Sequence, residues 1–468
     1  MYNKEFDDDL QNLNDLVKRY ENAARDNGNS YFSESELEEI IDYYLDNDKL
    51  QHAFEAAEQG LNQFQFSTTF YQKKAEILLE WNRLDEALEN LETAATYSPN
   101  ETSIILLKAD VYTHKGEYAI AVDLVKSALE NASEEEKVDL YLELADVYEE
   151  WEKYYEVIEQ LESCIALDPD NEEALNRMWF CTELTETYAQ SAVFHQSLVD
   201  QHPYNATAWY NLAHAFSGLE QYDKSLEAFD FVIAIDEDYE PAYTDAGDVH
   251  YKQMNYEKAI EFYLEAVEKG GPKKEIYYQI AKAYQHIEKY IKSREYLKKC
   301  INIDPYYAKA FHKLGLNYLE SKLPKNAISP LERALKLDNN NYEYLNSMAA
   351  AYFLNEEQEK TLDIYYRMLE INESDKRIYL NIVSILYEQG RVGDAIELLD
   401  AALHLFEGEA DFLYVKTAFL YELGKKNEMF DTLLRALEID PSAHQQLFEL
   451  LPEMANDNAV LALIESYL

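Results

Sequence analysis

The stretch NATAWYNLAHAFSGLEQYDKSLEAF, residues 205–229, decides the fold because its spacing returns in PAYTDAGDVHYKQMNYEKAIEFY, residues 241–263. Large and small side chains take the same places in both stretches: Trp209, Ala213, Phe216 and Phe229 in the first, and Tyr243, Gly247, His250 and Tyr263 in the second. The matching residues are 34 positions apart. A fixed period of this length indicates a repeat architecture in which each repeat is one structural unit.

The same register extends along most of the chain. With Trp209 at position four of a 34-residue unit, twelve units follow one another, and only the third is longer, at 36 residues. We place its extra residues in an acidic turn, NASEEEK (131–137). Position eight is Ala or Gly in eight of the twelve units, and five of the ten prolines fall at position thirty-two. The predicted units are 34–67, 68–101, 102–137, 138–171, 172–205, 206–239, 240–273, 274–307, 308–341, 342–375, 376–409 and 410–443.

Each unit is predicted to form two amphipathic helices. Apolar residues at positions four, seven, eight and eleven, and again at twenty, twenty-four and twenty-seven, form stripes at helical spacing. Gly116, Gly390 and Gly424 at position fifteen mark the turn between the two helices. Proline at position thirty-two ends the second helix because it has no backbone N–H to donate. A single helix pair cannot bury its own apolar face, so neighbouring units are expected to stack.

This pattern resembles the tetratricopeptide repeat family, whose signature alternates small and aromatic residues and ends in proline. The seventh unit carries it as Gly247, His250/Tyr251, Ala259 and Tyr263, and the eighth as Ala281, Tyr284, Ser293 and Pro305. The resemblance covers residues 34–443 and implies an all-α fold, a right-handed α-α superhelix of about twelve helix-turn-helix repeats. Residues 1–33 and 444–468 are predicted to form an N-terminal helix and C-terminal helices that cap the array.

The fifth unit departs from the pattern. Trp179 stands at the small position, Thr182 at the aromatic one and His195 at position twenty-four. A large ring where two helices should approach closely keeps them apart. We therefore expect the helices of this unit to pack differently from the others.

The charge is strongly acidic and unevenly distributed: the formal net charge is −50, and residues 1–250 contribute −41 of it. Such a field repels nucleic acid and anionic membranes and favours basic partners, although charge also keeps a long, exposed array soluble. No apolar run approaches the ~20 residues that span a bilayer. The start, MYNKEFDDDLQNL, lacks the features of a secretory signal. We expect no direct nucleic-acid binding, no membrane insertion and a cytoplasmic location.

Sequence patterns for catalysis or cofactor binding are lacking: there is no glycine-rich phosphate loop, GxSxG, HExxH or CxxC. We predict that the protein is not an enzyme, carries no cofactor and binds no metal. His195 and His250 stand where the repeat places a ring, so they are predicted core residues. Cys164, Cys181 and Cys300 are predicted to be buried packing residues.

The resemblance also implies a partner-binding groove. In related solenoids the concave surface is lined by the first helix of each unit, mainly at positions two, five, nine and twelve, and ligand peptides lie there. The groove is predicted to be acidic in the first four units and aromatic to mildly basic in the middle. Positions five, six and nine supply the predicted binding residues: Asp42, Glu76, Asp110, Asp146, Arg177, Phe180, Tyr210, Asn211, His214, Asp248, Tyr278, Lys282 and His312.

We expect a protein-protein interaction scaffold or adaptor that binds a basic segment of a partner protein in this groove. A clamp for chaperone C-termini is not expected, because no unit has Lys or Arg at position five. Two other functions stay open: self-assembly through the terminal helices, and an acidic regulator that occupies a nucleic-acid-binding surface of its partner. A solvated face would also account for the acidic positions.

Overall fold

The computed structural model describes residues 2–25 and 31–468. These residues form 27 α-helices and two short 3-10 helices, Pro441–His444 and Pro452–Asn456, and contain no strand. The all-α helical repeat that the sequence predicts is confirmed. The α-helices are α1 (Tyr2–Arg25), α2 (Glu34–Asp46), α3 (Leu50–Gln63), α4 (Thr68–Glu80), α5 (Leu84–Tyr97), α6 (Thr102–His114), α7 (Tyr118–Leu129), α8 (Glu134–Glu150), α9 (Tyr154–Leu167), α10 (Glu172–Thr185), α11 (Tyr188–Gln201), α12 (Ala206–Gly218), α13 (Tyr222–Ile235), α14 (Glu240–Lys252), α15 (Tyr256–Gly270), α16 (Lys274–His286), α17 (Tyr290–Ile303), α18 (Ala308–Glu320), α19 (Pro324–Leu337), α20 (Tyr342–Leu354), α21 (Gln358–Ile371), α22 (Lys376–Glu388), α23 (Val392–Leu405), α24 (Ala410–Glu422), α25 (Lys426–Ile439), α26 (Gln445–Leu450) and α27 (Asn458–Glu465).

The chain divides into two compact units, residues 1–242 and 243–468, and the boundary falls within α14. In the first unit, each helix packs on the next, and neighbouring first helices of the pairs also touch: α2 with α4, α4 with α6, and α6 with α8. In the second unit, α18 touches α20 in the same way. The boundaries of the twelve sequence units and of the two caps stay predictions. Met1 and residues 26–30 of the predicted N-terminal segment lie outside the described residues.

The turn within each of the twelve helix pairs from α2/α3 to α24/α25 contains one residue in the left-handed backbone region. Glycine adopts this conformation without a steric penalty, as predicted for Gly116, Gly390 and Gly424. In the other nine turns a residue with a Cβ takes the same conformation, so the packing of the two helices imposes it. With φ between 54° and 73°, the twelve are Asp48, Asn82, Gly116, Glu152, Glu186, Glu220, Met254, Glu288, Lys322, Glu356, Gly390 and Gly424.

Small residues at position eight let the two helices of a pair approach closely. A Cβ added at Gly247 on α14 would lie 2.7 Å from the ring of Tyr263 on α15. A Cβ added at Gly315 on α18 would lie 2.5 Å from the side chain of Leu331 on α19. Only glycine fits these places without displacing a buried side chain of the second helix.

The prolines end second helices as expected. Helices α5, α9, α11, α17 and α25 each stop two residues before a proline, at Pro99, Pro169, Pro203, Pro305 and Pro441. A proline ring disfavours helical backbone in the residue before it, which agrees with these helix ends. Helices α13 and α19 end at the same position of the repeat without a proline, so the proline is not required for the spacing.

The extra residues of the third sequence unit do not all form a turn, so that prediction is wrong for residues 134–137. They form the first turn of α8, which begins at Glu134. The reason is a capping box: the backbone N–H of Glu136 donates to the Ser133 hydroxyl, and the Glu136 carboxylate accepts from the backbone N–H of Ser133.

The fifth pair, α10 and α11, packs differently from the others, which confirms the prediction from Trp179. The two helices touch over few residues, and α10 packs mainly against α9 and α12. His195 of α11 is fully buried. Its Nδ1 lies 2.9 Å from the backbone oxygen of Ser191, and its Nε2 lies 3.3 Å from the side-chain amide nitrogen of Asn211 on α12. The imidazole of His195 thus fills the ring position of the repeat and makes these polar contacts as well.

Candidate functional site

The first helices α2, α4, α6 and α8 each carry an acidic residue at position nine. We call Asp42, Glu76, Asp110 and Asp146 the acidic row. Asp146 is exposed and the other three are partly exposed. Because these helices touch their neighbours in sequence, the row follows one face of the first unit.

Two basic residues bridge the row from position six of the following first helix. Lys73 on α4 places its Nζ 2.9 Å from an Asp42 carboxylate oxygen and 3.5 Å from one of Glu76. Arg177 on α10 places one guanidinium nitrogen 2.7 Å from Asp146 and 2.9 Å from Glu149. Position six of one first helix therefore meets position nine of the preceding one.

Between these two bridges, position six holds Leu107 on α6 and an acid, Glu143, on α8. Glu143 on α8 is buried, with 8% of its surface exposed, and its Oε1 has no hydrogen-bond partner. Burial, together with the charges of Asp110 and Asp146, raises the pKa of Glu143 to about 8. The pKa of Asp110 is raised by burial and by Asp146, and the pKa of Asp146 is raised by burial despite Arg177. The pKa values of three neighbouring carboxyl groups are thus raised together, because an ionised carboxylate disfavours the ionisation of a carboxyl group beside it.

A depression of about 500 Å³ opens beside these carboxyl groups, between α6, α8 and α10. It is open to solvent on one side and carries far more negative than positive groups. Three of the predicted binding residues, Asp110, Asp146 and Arg177, come together here. Its lining consists of Asp110, Thr113, His114, Asp146, Glu149, Glu150, Glu173 and Arg177.

The predicted binding residues of α10 and α12 lie in different surroundings. Phe180 is 46% exposed. Tyr210 and His214 form an edge-to-face ring pair with centroids 4.5 Å apart. Asn211, by contrast, is buried, and its amide donates to the backbone oxygen of Leu175 at 2.8 Å. Since Asn211 is held inside the fold, we leave it out of the binding surface.

In the second unit, Tyr278, Lys282 and His312 line one depression of about 510 Å³ on α16, α18 and α20. The Lys282 ammonium lies 4.8 Å from the ring centre of Tyr251, and it donates to Gln279. His312 is largely buried, and its Nε2 lies 2.8 Å from the Ser347 hydroxyl. These contacts fix the orientation of both side chains.

The carboxylate of Asp248, the position-nine residue of α14, accepts hydrogen bonds from other residues of the second unit. It accepts from the Tyr263 hydroxyl at 2.5 Å and from the Gln279 amide at 3.4 Å. Burial raises the pKa of Asp248. We infer that Asp248 has a mainly structural role.

Lys73 and Glu143 are not among the binding residues predicted from the sequence. Both stand at position six, which was considered only for Arg177 and Asn211. The sequence does indicate the contact between positions six and nine, because Lys73 and Arg177 each lie 31 residues after an acidic residue at position nine. Reading one helix at a time hides such a contact, since it joins side chains of neighbouring helices.

We predict that Glu143→Gln changes the dependence of stability on pH. The folded-state pKa of Glu143 is raised above that of the unfolded chain, so its contribution is present at low pH and is lost as the pH rises towards about 8. The variant and the wild type should melt alike near pH 5, and the variant should melt at the higher temperature near pH 9. Circular dichroism melting curves between about pH 5 and pH 9 measure this difference.

Glu159→Gln is the matched control for that experiment, because Glu159 is exposed on α9 of the same helix pair. Its melting temperature should follow the wild type at every pH. Parallel profiles for Glu143→Gln and wild type would show that Glu143 is ionised in the folded state, contrary to our expectation.

Two family models, both described as tetratricopeptide repeat, match the chain. One matches residues 138–171, 274–307 and 308–341, and the other matches residues 73–136, 210–274 and 380–444. Together they span more than half of the sequence. The chain belongs to the tetratricopeptide repeat family. Membership supports a protein-interaction scaffold, and proteins of this family are generally not enzymes.

Similar proteins carry the same repeat. A tetratricopeptide repeat-containing protein of Methanocaldococcus jannaschii is 23% identical over 417 residues, which are 85% of this chain and 68% of that protein. The repeat-containing protein YpiA of Bacillus subtilis is 22% identical over 385 residues, 80% of this chain and 88% of that protein. The crystal structure of YrrB, a repeat protein with an unusual peptide-binding site, has a TM-score of 0.35 and 18% identity, and covers 40% of this chain and 96% of its own.

Within the described ranges, 2–25 and 31–468, none of the helices combines the length and the apolar character that crossing a membrane requires. The three cysteines are buried and free of disulfides. Burial raises the thiol pKa of Cys164 and Cys181 to about 11 and that of Cys300 to about 12. Such thiols are poor nucleophiles near neutral pH, as expected for packing residues.

Proposed function

We propose that this tetratricopeptide repeat protein is a non-catalytic scaffold that holds a basic segment of a partner protein along the first helices of its first unit. The acidic row carries this proposal, because it repeats a carboxylate at one position of four successive first helices. A basic segment that lies across these helices meets several carboxylates in turn. Complementary charge of this kind favours rapid and selective association.

The ion pairs that Lys73 and Arg177 form within the chain leave the carboxylates of the acidic row able to bind a partner. Lys73 and Arg177 neutralise part of the row, yet the carboxylates they contact remain open to solvent: Asp42 is 46% exposed and Asp146 is 54% exposed at the side chain. The cationic partners are less exposed, at 22% for Lys73 and 18% for Arg177. Basic side chains of a partner are therefore expected to share these carboxylates and leave the internal bridges in place.

The surrounding charge supports the same class of partner. Residues 1–250 carry a formal charge of −41, and this field attracts a cationic segment from a distance and repels nucleic acid. Binding that depends on such a field weakens as salt rises, because counterions screen exposed charges over about 10 Å at 0.1 M salt.

The second unit offers a different surface, with Tyr278 beside Lys282 and His312 in one depression. Tyrosine rings give a large contact area and lose little conformational entropy on binding. We assign this depression to less charged, aromatic or amide-rich parts of a partner segment.

We predict that reversing the whole acidic row, Asp42→Lys, Glu76→Lys, Asp110→Lys and Asp146→Lys, removes binding of a basic peptide. The probe is a fluorescein-labelled peptide of lysine, arginine, glycine and serine, and the readout is fluorescence anisotropy at about 20 and 300 mM NaCl. Affinity at low salt should fall at least tenfold, a loss of about 1.4 kcal/mol or more. Helix content should stay at the wild-type value.

The control carries the same change in net charge on the second helices α5, α7 and α9. It should lose much less affinity than the row variant, since it alters only the long-range field. Equal losses in both variants would mean that net charge, and not the row, attracts the peptide. The exposed acids to be replaced by lysine in this control are Glu89, Glu92, Asp123 and Glu159.

A further inference from the structure

One stretch of the second unit carries the opposite charge to the rest of the chain. Residues 271–340 contain fourteen Lys and Arg residues and seven Asp and Glu residues, which gives a formal charge of +7 in a chain of −50. The stretch includes α16, α17, α18 and α19. Solubility does not explain it, because the other residues already keep the net charge of the chain far from zero.

Four exposed lysines of this stretch lie where the second helices begin. Lys289 and Lys292 lie at the start of α17, and Lys322 and Lys325 lie at the start of α19. In the described part of the chain, none of the four forms an ion pair with a carboxylate, whereas the two cations that bridge the acidic row each contact at least two. The Lys292 ammonium lies 5.3 Å from the ring centre of Tyr284, a contact that does not neutralise its charge. The fold therefore leaves the charge of this group of lysines uncompensated.

The two pairs of lysines belong to one surface. Helix α18 packs against both α17 and α19. Across the first of these contacts, Arg294 of α17 donates to the Asn317 side-chain oxygen at 2.8 Å and to the Ser321 hydroxyl at 3.1 Å. Arg294 comes two residues after Lys292, and Ser321 directly precedes Lys322. The start of α17 and the start of α19 are therefore neighbours.

Each pair of lysines flanks an exposed aliphatic side chain. Ile291 is 69% exposed between the first two lysines, and Leu323 is 42% exposed between the second two. Single exposed aliphatic residues are common on protein surfaces, but here the same combination of cations and an aliphatic group occurs at two neighbouring helix starts. We call this surface the basic edge, and its residues are Lys289, Ile291, Lys292, Lys322, Leu323 and Lys325.

We propose that the basic edge binds an acidic segment of a partner protein, one that carries aliphatic side chains among its carboxylates. Charge complementarity supports this occupant, since the carboxylates meet four ammonium groups that the fold leaves uncompensated. The aliphatic side chains of the segment cover Ile291 and Leu323 and remove their apolar surface from water. The inference goes beyond the function proposed above, because it gives the second unit a partner of opposite charge to that of the first.

A protein segment fits the basic edge better than a nucleic acid or an anionic membrane. Those two ligands present dense negative charge over a long distance, and the formal charge of −41 on residues 1–250 repels them. A short acidic segment meets mainly the local charge, because salt screens exposed charges over about 10 Å at 0.1 M. Phosphate groups also make no use of the aliphatic side chains of the edge.

Fluorescence anisotropy on the full chain tests the inference with three labelled, end-blocked peptides. The first contains glutamate, leucine, glycine and serine. The second has glutamine in place of glutamate, and the third has serine in place of leucine. At about 100 mM NaCl the first peptide should bind at least tenfold more tightly than the second and severalfold more tightly than the third, and its binding should weaken at about 500 mM.

Reversing the charge of the basic edge should weaken binding of the first peptide at least tenfold, with helix content unchanged. Glutamate suits the turn that holds Lys322, because Glu288 has the same left-handed backbone in the preceding pair. The variant carries Lys289→Glu, Lys292→Glu, Lys322→Glu and Lys325→Glu. A second variant, Ile291→Ser with Leu323→Ser, should weaken binding severalfold without any change in charge.

The matched control has the same change in net charge on exposed residues of the second unit away from the basic edge. It should lose much less affinity than the edge variant. Equal losses in the two variants, or equal affinity of the wild type for the glutamate and glutamine peptides, would overturn the inference. The control substitutions are Lys258→Glu, Lys336→Glu, Lys426→Glu and Arg435→Glu.

Other occupants of the basic edge are tested in the same way, with single-stranded oligothymidylate and with vesicles of phosphatidylserine and phosphatidylcholine. Binding of either probe that is tighter than peptide binding, and that the edge variant loses, would overturn the assignment to a protein segment. Self-association in sedimentation velocity that the edge variant loses would assign the edge to a second copy of this chain instead. No binding of the glutamate peptide to the wild type would also contradict the inference, and it would leave the acidic row of the first unit untouched.

Discussion

Replacing Tyr263 with alanine is expected to lower the free energy of unfolding by about 3–5 kcal/mol. The Tyr263 side chain is fully buried in α15, and its ring packs directly on Gly247 of α14. Its hydroxyl donates to the partly buried carboxylate of Asp248. Alanine leaves a cavity between the two helices and removes that donor, so both losses add to the cost. Urea unfolding followed by circular dichroism measures it.

Tyr263→Phe is the matched control, because it keeps the ring on Gly247 and removes only the hydroxyl. Its cost should be about 1.5–3 kcal/mol, the value of a hydrogen bond to a charged group. If the alanine variant were no less stable than the phenylalanine variant, the ring would contribute nothing, and the close packing of α14 on α15 would be wrong.

Asn211→Asp is expected to destabilise the chain by about 3–5 kcal/mol, the effect of a buried charge without a partner. The Asn211 amide group bonds the backbone oxygen of Leu175 on α10 and lies against Nε2 of His195 on α11. Burial lowers the pKa of His195 to about 4, so this ring is neutral near pH 7 and cannot compensate a carboxylate. An aspartate also lacks the amide hydrogens that both acceptors need.

The control for this change is Asn100→Asp, which introduces the same charge at an exposed turn residue. It should shift the unfolding midpoint little, because surface substitutions usually change stability by less than about 0.5 kcal/mol. A small effect of Asn211→Asp, equal to that of the control, would indicate that Asn211 faces solvent and would return it to the predicted binding surface.

The fold could be predicted from the sequence because its signals are local. Gly116 marks a turn by its freedom at positive φ, Pro203 ends a helix, and Gly247 with Tyr263 defines a close helix contact. The distorted packing around Trp179 followed from the same reasoning. The start of α8 was not predicted. Residues 131–137 have an acidic, turn-like composition, but the capping box at Ser133 starts the helix within them.

The site could be predicted only in part. Position nine gave the acidic row, but exposure depends on how neighbouring helices stack. Asn211 at position six is buried, while Arg177 at the same position reaches Asp146 and Glu149 across the helix contact. The isolation of Glu143 needs the positions of two helices at once, so one repeat read alone cannot reveal it.

Photo-crosslinking of the basic peptide to the full chain, with the sites mapped by mass spectrometry, tests the central claim most directly. The account predicts adducts on the first helices α2, α4, α6 and α8, and loss of those adducts when Asp42, Glu76, Asp110 and Asp146 are reversed to lysine. Adducts spread over the second helices α3, α5, α7 and α9, and unchanged in the reversed variant, would contradict it.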